Sequence, residues 1–563
     1  MNKYLLLLTT SLAPVATVFA QGAPDAINIT RPDMKGTARF MSMGGAFGAL
    51  GGDLSSLSQN PAGIGVYRSG DIGFTLNLDC QNASATSQGV KSSVDQTKFL
   101  LNNIGAVLTM RLQNDMFPNI NFGFTYNKAA SFNRQYAGQV PTLNNSLSNY
   151  IAEIANGSGL QVADMEPSNS YDPWNSNTPW LPLLAYKGWL IESSGAGDNT
   201  QWYGQWDEGT SGSGSFNVTE KGSVDEYNIA VGGNIANVVY WGMDFGITNL
   251  DYTQFSRWGE TLDNAYLSNG QEAYVGNAVW DLNNYYNVNG TGFNYKLGVI
   301  LKPVQELRIG FAFHTPTWYN LRETYSGSIE YQYDNEKPDG VDTNDGTPGY
   351  NEVDFRTPWK VMASVAGVIG NNFILSFDYE WQGFNKMKYS EPGTYGGGGW
   401  GPDYWDPDWY PYYSAAPKTR AYPDASDPYY GVNDDINYYL KSTNTFRLGA
   451  EYRVTPSFSL RAGYSNVSSP VKADVRHDRE IIYTGGTRPQ YRFDNSTNYY
   501  TCGFGYRYQQ FYIDMAYVYK HVNSTYHAYT PDVDYDNKVV YTSPQSKLSL
   551  NDSQIVLTAG FRF

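Results

Sequence analysis

Residues 553–563 read SQIVLTAGFRF, and their polarity alternates with a period of two. Successive side chains of an extended chain point to opposite faces. Ile555, Leu557, Ala559, Phe561 and Phe563 therefore share one face, and Val556, Thr558, Gly560 and Arg562 share the other. The same pattern starts at Asp71 and recurs. Ile72, Phe74, Leu76 and Leu78 stand against Gly73, Thr75, Asn77 and Asp79. Ile120, Phe122, Phe124 and Tyr126 stand against Asn121, Gly123, Thr125 and Asn127, and Phe446, Leu448, Ala450 and Tyr452 against Arg447, Gly449, Glu451 and Arg453. In each case one face is apolar, and charges and glycines keep to the other.

The spacing of these segments predicts the topology. Short links fall near residues 113–118, 235–239, 303–305, 370–371, 455–457 and 509–510. Long ones fall near 80–102, 129–224, 249–292, 315–354, 383–440, 467–495 and 522–552. The two kinds alternate strictly. Seven long and six short connections join fourteen strands, an even count that puts both ends of the wall on one side. Residues 323–333 also look like a strand, but a fifteenth wall member would break the parity, so they read as a loop extension. Short turns on one side and longer loops on the other are the asymmetry of a bacterial outer-membrane barrel, and a soluble sheet protein has no reason to sort its loops this way. The expected fold class is all-β: a transmembrane antiparallel β-barrel of fourteen strands with an N-terminal plug.

Composition fits this reading. Gly 57, Tyr 48 and Trp 14, with only 16% charged residues, describe strand formers and glycine-bearing turns. A mean hydropathy of -0.47 argues against membrane helices but not against a barrel, whose lipid-facing residues are diluted by lumenal ones. The net charge of -16 opposes binding to nucleic acid, whose phosphates it would repel. Cys80 and Cys502 are too few and too far apart for a disulfide framework and read as unpaired. Lys3, an apolar run over 4–12 and Val18-Phe19-Ala20 before Gln21 form a signal peptide cleaved after Ala20. No Cys follows the cut, so no lipid anchor is expected there.

Residues 21–70 do not alternate. They are crowded with Gly and Ser, and they contain Asn60-Pro61-Ala62-Gly63, where Pro61 cannot donate to a ladder. Met41, Met43, Phe47, Leu50, Leu54 and Leu57 supply apolar anchors that a disordered leader lacks. The segment therefore reads as a packed hatch, with 71–563 as the barrel.

At this point four stretches carry a resemblance. MGGAFGALGGDLSSLSQNPAGIG at 43–65 is a Gly-rich segment closing on Asn-Pro-Ala. Three hairpins follow it: FNYKLGVILKPVQELRIGFAFHTPT at 293–317, TPWKVMASVAGVIGNNFILSFDYEWQGF at 357–384, and FRLGAEYRVTPSFSLRAGYSNVSSP at 446–470. In that order, over about 38–563, the chain resembles the FadL/TodX family of outer-membrane transporters for hydrophobic compounds. The resemblance implies a fourteen-stranded barrel plugged by a hatch carrying Asn60, Pro61 and Ala62. It also implies an apolar ligand caught by external loops, passed to a site beside the hatch, and released sideways next to a distorted third strand at residues 119–128. The loops at 129–224 and 383–440 look long for the family.

Met41, Met43, Phe47, Leu50 and Leu57 are the candidate ligand contacts, because Met and Phe adapt to irregular apolar shapes. The plainer reading is that they pack the plug against the wall. Lumenal charges such as Lys296, Arg308, Glu380, Arg447, Glu451, Arg461 and Arg562 either pair and pin the hatch or offer one Arg to a ligand carboxylate. The aromatic stretches at 174–206 and 395–414 either cap the barrel or stack on sugars, so a surface adhesin or glycan binder is the alternative function.

Other chemistry is weakly represented. DTNDG at 342–346 places its Gly fifth rather than sixth for a calcium loop. His521 and His527 have no sequence partner for haem and read as exposed. No nucleophile and base stand together, so an enzyme, a cofactor and a metal are not expected. The expected partners are a hydrophobic small molecule, outer-membrane lipid and, through the C-terminal Phe563, the barrel assembly machinery, for a monomer in the outer membrane.

Overall fold

The computed structural model describes residues 22–563 apart from 177, 196, 269–272, 335, 371, 394–429, 477–485 and 534–538. The expected signal peptide and the aromatic stretch at 395–414 lie outside the described residues.

Fourteen strands form the wall. They are β1 (Asp71–Ser87), β2 (Val90–Arg111), β3 (Asn119–Ser131), β4 (Ser211–Ile235), β5 (Val239–Ser268), β6 (Ala273–Val304) and β7 (Leu307–His314). They continue with β8 (Lys360–Ile369), β9 (Phe373–Gln382), β10 (Thr443–Thr455), β11 (Phe458–Val467), β12 (Tyr491–Tyr508), β13 (Phe511–His527) and β14 (Gln545–Arg562). Each pairs antiparallel with the next. The second half of the series does the same. β1 pairs β14 from Asp71 with Arg562 to Thr86 with Lys547, and this closes the sheet on itself. Closure leaves no open edge around the ring.

The apolar face looks outward. Phe74, Phe124, Ile247, Leu297, Leu448 and Leu557 are all exposed on the outer surface, while Thr75, Asn77, Thr125 and Thr558 are buried inside. Aromatic rings cluster at both ends of this band. Tyr126 lies against Tyr227 (5.5 Å), Trp359 against Trp381 (4.6 Å) and Tyr464 against Tyr500 (5.3 Å) towards the long loops; Phe511 lies against Phe561 (4.9 Å) at the short turns. Such girdles mark the two interfaces of a bilayer-spanning barrel.

Two expectations about loops need correction. Residues 80–102 and 249–292, expected as loops, are largely paired strand. β1 and β2 run out to a two-residue turn at Gln88 and Gly89, both at positive φ (49° and 87°), as a type I′ turn requires. β5 and β6 stay paired from Val239 with Leu301 out to Ser268 with Ala273. Beyond the aromatic girdle the outer face no longer meets hydrocarbon and the inner face packs on the mouth, so the alternation inverts while the ladder continues: Tyr252, Trp258 and Leu262 are buried inside, and Asp251 and Arg257 are exposed outside. Residues 323–333 belong to the strand Trp318–Tyr333, which prolongs β7 past Pro316 and pairs with β6 above it. It lengthens the wall and adds no member.

The mouth is filled. Helices Leu147–Gly157 and Trp180–Lys187 pack with Trp258, Leu262, Trp280 and Leu282 on the inner face of these extensions. A second apolar cluster lies below, joining Ala26 and Ile29 of helix α1 (Ala23–Thr30) to Phe132, Tyr252, Tyr286 and Phe355. The rest of residues 22–70 occupies the lumen below that.

Candidate functional site

The lumenal segment is short helices joined by glycine turns: α2 (Ala38–Ser42), α3 (Ser56–Gln59) and a 3-10 helix, Pro61–Val66. Thr37 caps α2, its Oγ1 accepting from Phe40 N (3.1 Å) and donating to Asp53 (2.8 Å). Asn60 caps the 3-10 helix. Its Oδ1 accepts from Ala62 N (3.1 Å) and its Nδ2 donates to Gly48 O (2.6 Å), while Pro61 occupies the first helical position, where no N–H is needed. The Asn-Pro-Ala motif is therefore a turn that staples two parts of the plug.

Inward-facing glycines of the wall make room for it. A Cβ on Gly298 would fall 1.9 Å from Asn60 Oδ1, one on Gly242 2.1 Å from Pro61 O, and one on Gly310 2.3 Å from Gly48 O. Ion pairs then pin the segment. Arg39 donates to Glu451 (3.1 Å), which also accepts from Arg461 (2.7 Å), and Lys35 and Lys520 share Asp33 at 3.7 Å and 3.0 Å. Within the wall Lys296 sits between Glu226 (2.7 Å) and Asp244 (3.2 Å), and Arg447 pairs Glu380 (3.0 Å). Arg308 instead donates to the plug backbone at Leu50 O (2.6 Å).

Of the five candidate contacts, Met41, Met43, Phe47 and Leu50 come together in one buried cluster with Phe40, Tyr499, Val518 and Val556. Leu57 sits apart, with Leu54, Ile64, Tyr67 and Val107. Asn60, Pro61 and Ala62 are buried at the contact with β5 and β6. His527, expected to be exposed, is buried and stacked on Tyr491 at 4.6 Å, because the mouth filling covers that end of β13. His521 lies on the same strand with Nδ1 2.7 Å from Asn551 Oδ1. In the Trp-rich stretch at 174–206, Trp180 is buried against Trp174 and Tyr325, Trp202 is buried against Tyr186, and Trp189 is exposed.

Beside Met41 the wall forks. β2 pairs β3 only from Asn103 with Asn127 to Arg111 with Asn119. Beyond Asn103, β2 continues along β1 alone, while β3 stays with β4. Two bulges produce the parting. Asn102 is skipped in the β1–β2 ladder, which steps from Thr75 with Asn103 to Leu76 with Leu101. Ala129 is skipped in the β3–β4 ladder, which steps from Lys128 with Asp225 to Ala130 with Val224. A bulge bends its strand and increases local twist, so each strand turns away from the other. Leu101 and Ile104 are exposed on the outer face at this level, whereas Asn102 and Asn103 are fully buried inside. Asn102 Nδ2 reaches Met41 Sδ (3.4 Å) and Gly36 O (3.5 Å), tying the fork to the plug.

The bulges were missed in the sequence, although Leu100-Leu101-Asn102-Asn103 places two apolar and then two polar residues in a row where a regular strand alternates.

A closed wall of even strand number, an apolar outer band between aromatic girdles and a plugged bore define an outer-membrane barrel protein. The chain belongs to the outer membrane protein transport protein family (OMPP1/FadL/TodX), whose model matches residues 218–550. That family consists of transporters rather than enzymes. Among solved structures the chain is similar to a Pseudomonas aeruginosa FadL homologue, at 12% identity and a TM-score of 0.49, over 94% of this chain and 99% of that one. It is also similar to the Ralstonia pickettii toluene transporter TbuX (13% identity, TM-score 0.42) and the P. putida toluene transporter TodX (10%, 0.44), each over 94% of this chain and 99% of the other. A comparison with curated proteins gives no match.

Proposed function

We propose that the protein gives passive uptake of hydrophobic small molecules, with residues 21–70 as the hatch, 71–563 as the barrel, and lateral release through the fork between β2 and β3. The similarity to toluene transporters agrees with an apolar solute as cargo. In this reading the solute meets the external mouth, moves down the apolar clusters, and reaches Met41, Met43, Phe47 and Leu50 at the hatch, with Leu57 as a separate contact lower in the plug. Burial against such side chains is worth about 25 cal/mol per Å², which holds a greasy molecule without a charged partner.

The observation that carries the reading is the fork. It is a run of β2 that pairs with β1 but not with β3, starting at the loop-side edge of the apolar band with Leu101 and Phe99 exposed outward, next to the methionine cluster of the plug. A solute leaving there enters hydrocarbon without crossing the charged floor of the lumen. Deleting Ala129 removes the bulge that turns β3 away and lets the β2–β3 ladder run on. The shortened chain is expected to fold, as judged by heat-modifiable migration, and to lose most uptake of a labelled alkylbenzene into proteoliposomes. A folded deletion variant with undiminished uptake sinks lateral release.

A further inference from the structure

The polar side chains at the fork form a directional chain whose end is unfilled. Asp244, paired to Lys296, can only accept. Asn228 Nδ2 donates to Asp244 Oδ2 (2.7 Å), which turns Asn228 Oδ1 to face Asn127. Asn127 Nδ2 donates to that oxygen (3.0 Å), and Asn103 Nδ2 in turn donates to Asn127 Oδ1 (2.5 Å) and to Tyr126 O (3.2 Å). Each amide is thus oriented by its neighbour, starting from a carboxylate that has no proton to give. The chain ends on Asn103 Oδ1, which is buried and has no hydrogen-bond partner among the described residues.

Asn102, the adjacent bulge residue, repeats the pattern independently. Its Nδ2 is used on Gly36 O and Met41 Sδ, and its Oδ1 is buried and unpartnered. Two consecutive residues where β3 parts from β2 therefore carry buried carbonyl oxygens that lack donors among the described residues. The nearest cation on β3, Lys128, is held by Asp225 at 2.7 Å. A buried acceptor left unmade is costly, so these oxygens favour an occupant that brings a donor. They disfavour a carboxylate, which brings only acceptors.

We propose that Asn102 and Asn103 select uncharged apolar solutes carrying a hydroxyl, such as an alkylphenol or an alcohol, over the hydrocarbon of the same shape and over the corresponding carboxylate. This rests on the uptake reading above and narrows its cargo. The test uses the full-length protein in nanodiscs and three probes of similar shape: 4-ethylphenol, ethylbenzene and 4-ethylbenzoate. At about pH 8 the phenol is neutral and the benzoate ionised.

The expected order is ethylphenol tightest, by about fivefold over ethylbenzene, the factor one net hydrogen bond is worth, with ethylbenzoate weakest. In Asn103→Leu combined with Asn102→Leu, the ratio of ethylphenol to ethylbenzene binding falls from about five to about one. The ranking on the native protein decides the matter even if that variant fails to fold. Equal binding of phenol and hydrocarbon, or tightest binding of the benzoate, overturns the selection and leaves uptake standing. Binding of none of the three removes both.

Discussion

Gly298 has no side chain because the Asn-Pro-Ala turn occupies that space: a Cβ there falls 1.9 Å from Asn60 Oδ1 and 2.9 Å from Ala62 N. Both contacts are to a buried turn held by its own hydrogen bonds, so neither can move away cheaply. Gly298→Ala is expected to cost about 1–3 kcal/mol, the usual penalty of overpacking. In thermal denaturation it should lower the unfolding midpoint, and the loosened plug should raise leak of small ions through planar bilayers. An unchanged midpoint and a silent bilayer would show that the plug does not seat on that glycine. Much at this scale was readable in advance. The face bearing charges and glycines is the lumenal one, because a wall that encloses a plug needs both pairing partners and gaps. Which glycine meets which plug residue was not readable, since that depends on how fourteen tilted strands place distant residues at one height.

At the scale of elements, alternation located the membrane strands because one face of each must match lipid. It failed where that demand ends. Outside the girdle β5 and β6 are ruled by their contacts with the mouth helices, and their sequence reads as loop although the ladder persists. The bulges at Asn102 and Ala129 were lost for the opposite reason, since one skipped residue is a small signal inside a strong period.

Glu260 shows what the mouth packing does to a charge. On the part of β5 beyond the girdle, its carboxylate accepts from Ser146 Oγ (2.6 Å), Leu147 N (2.9 Å) and Trp258 Nε1 (2.8 Å) at the start of the helix Leu147–Gly157. Among the described residues no cation adjoins it, and burial pushes its carboxyl up from 4.5 to about 7 in spite of those donors. The folded chain then binds a proton more tightly than the unfolded one. The contribution to stability is full below about pH 4.5 and is lost as pH rises through about 7. Glu260→Gln, which stays neutral, should flatten that dependence: the variant's unfolding midpoint should exceed the native one at about pH 8 and match it near about pH 4. An identical pH profile for the two proteins would count against a neutral buried carboxyl.

For the whole molecule the outer band is the feature that bilayer insertion depends on. Leu448 is 46% exposed on β10 between the girdles, and hydrocarbon is the surrounding that suits it. Leu448→Lys should cost about 2–4 kcal/mol in folding into phospholipid vesicles, the penalty for a cation near the bilayer centre. The control, Arg453→Lys, lies on an exposed position near the short-turn end and should fold as the native chain does. Equal folding yields for all three would place the band outside lipid.

The seam of the ring sets an order of assembly. Gly70, the last residue of the plug, exchanges two backbone hydrogen bonds with Phe563, at 2.8 Å and 3.0 Å, just where β1 meets β14. Because the first strand pairs with the last, the cylinder shuts only when both are in place, and the plug is anchored at that same seam. The stopper is built before the bottle and is walled in by the tail end of its own chain.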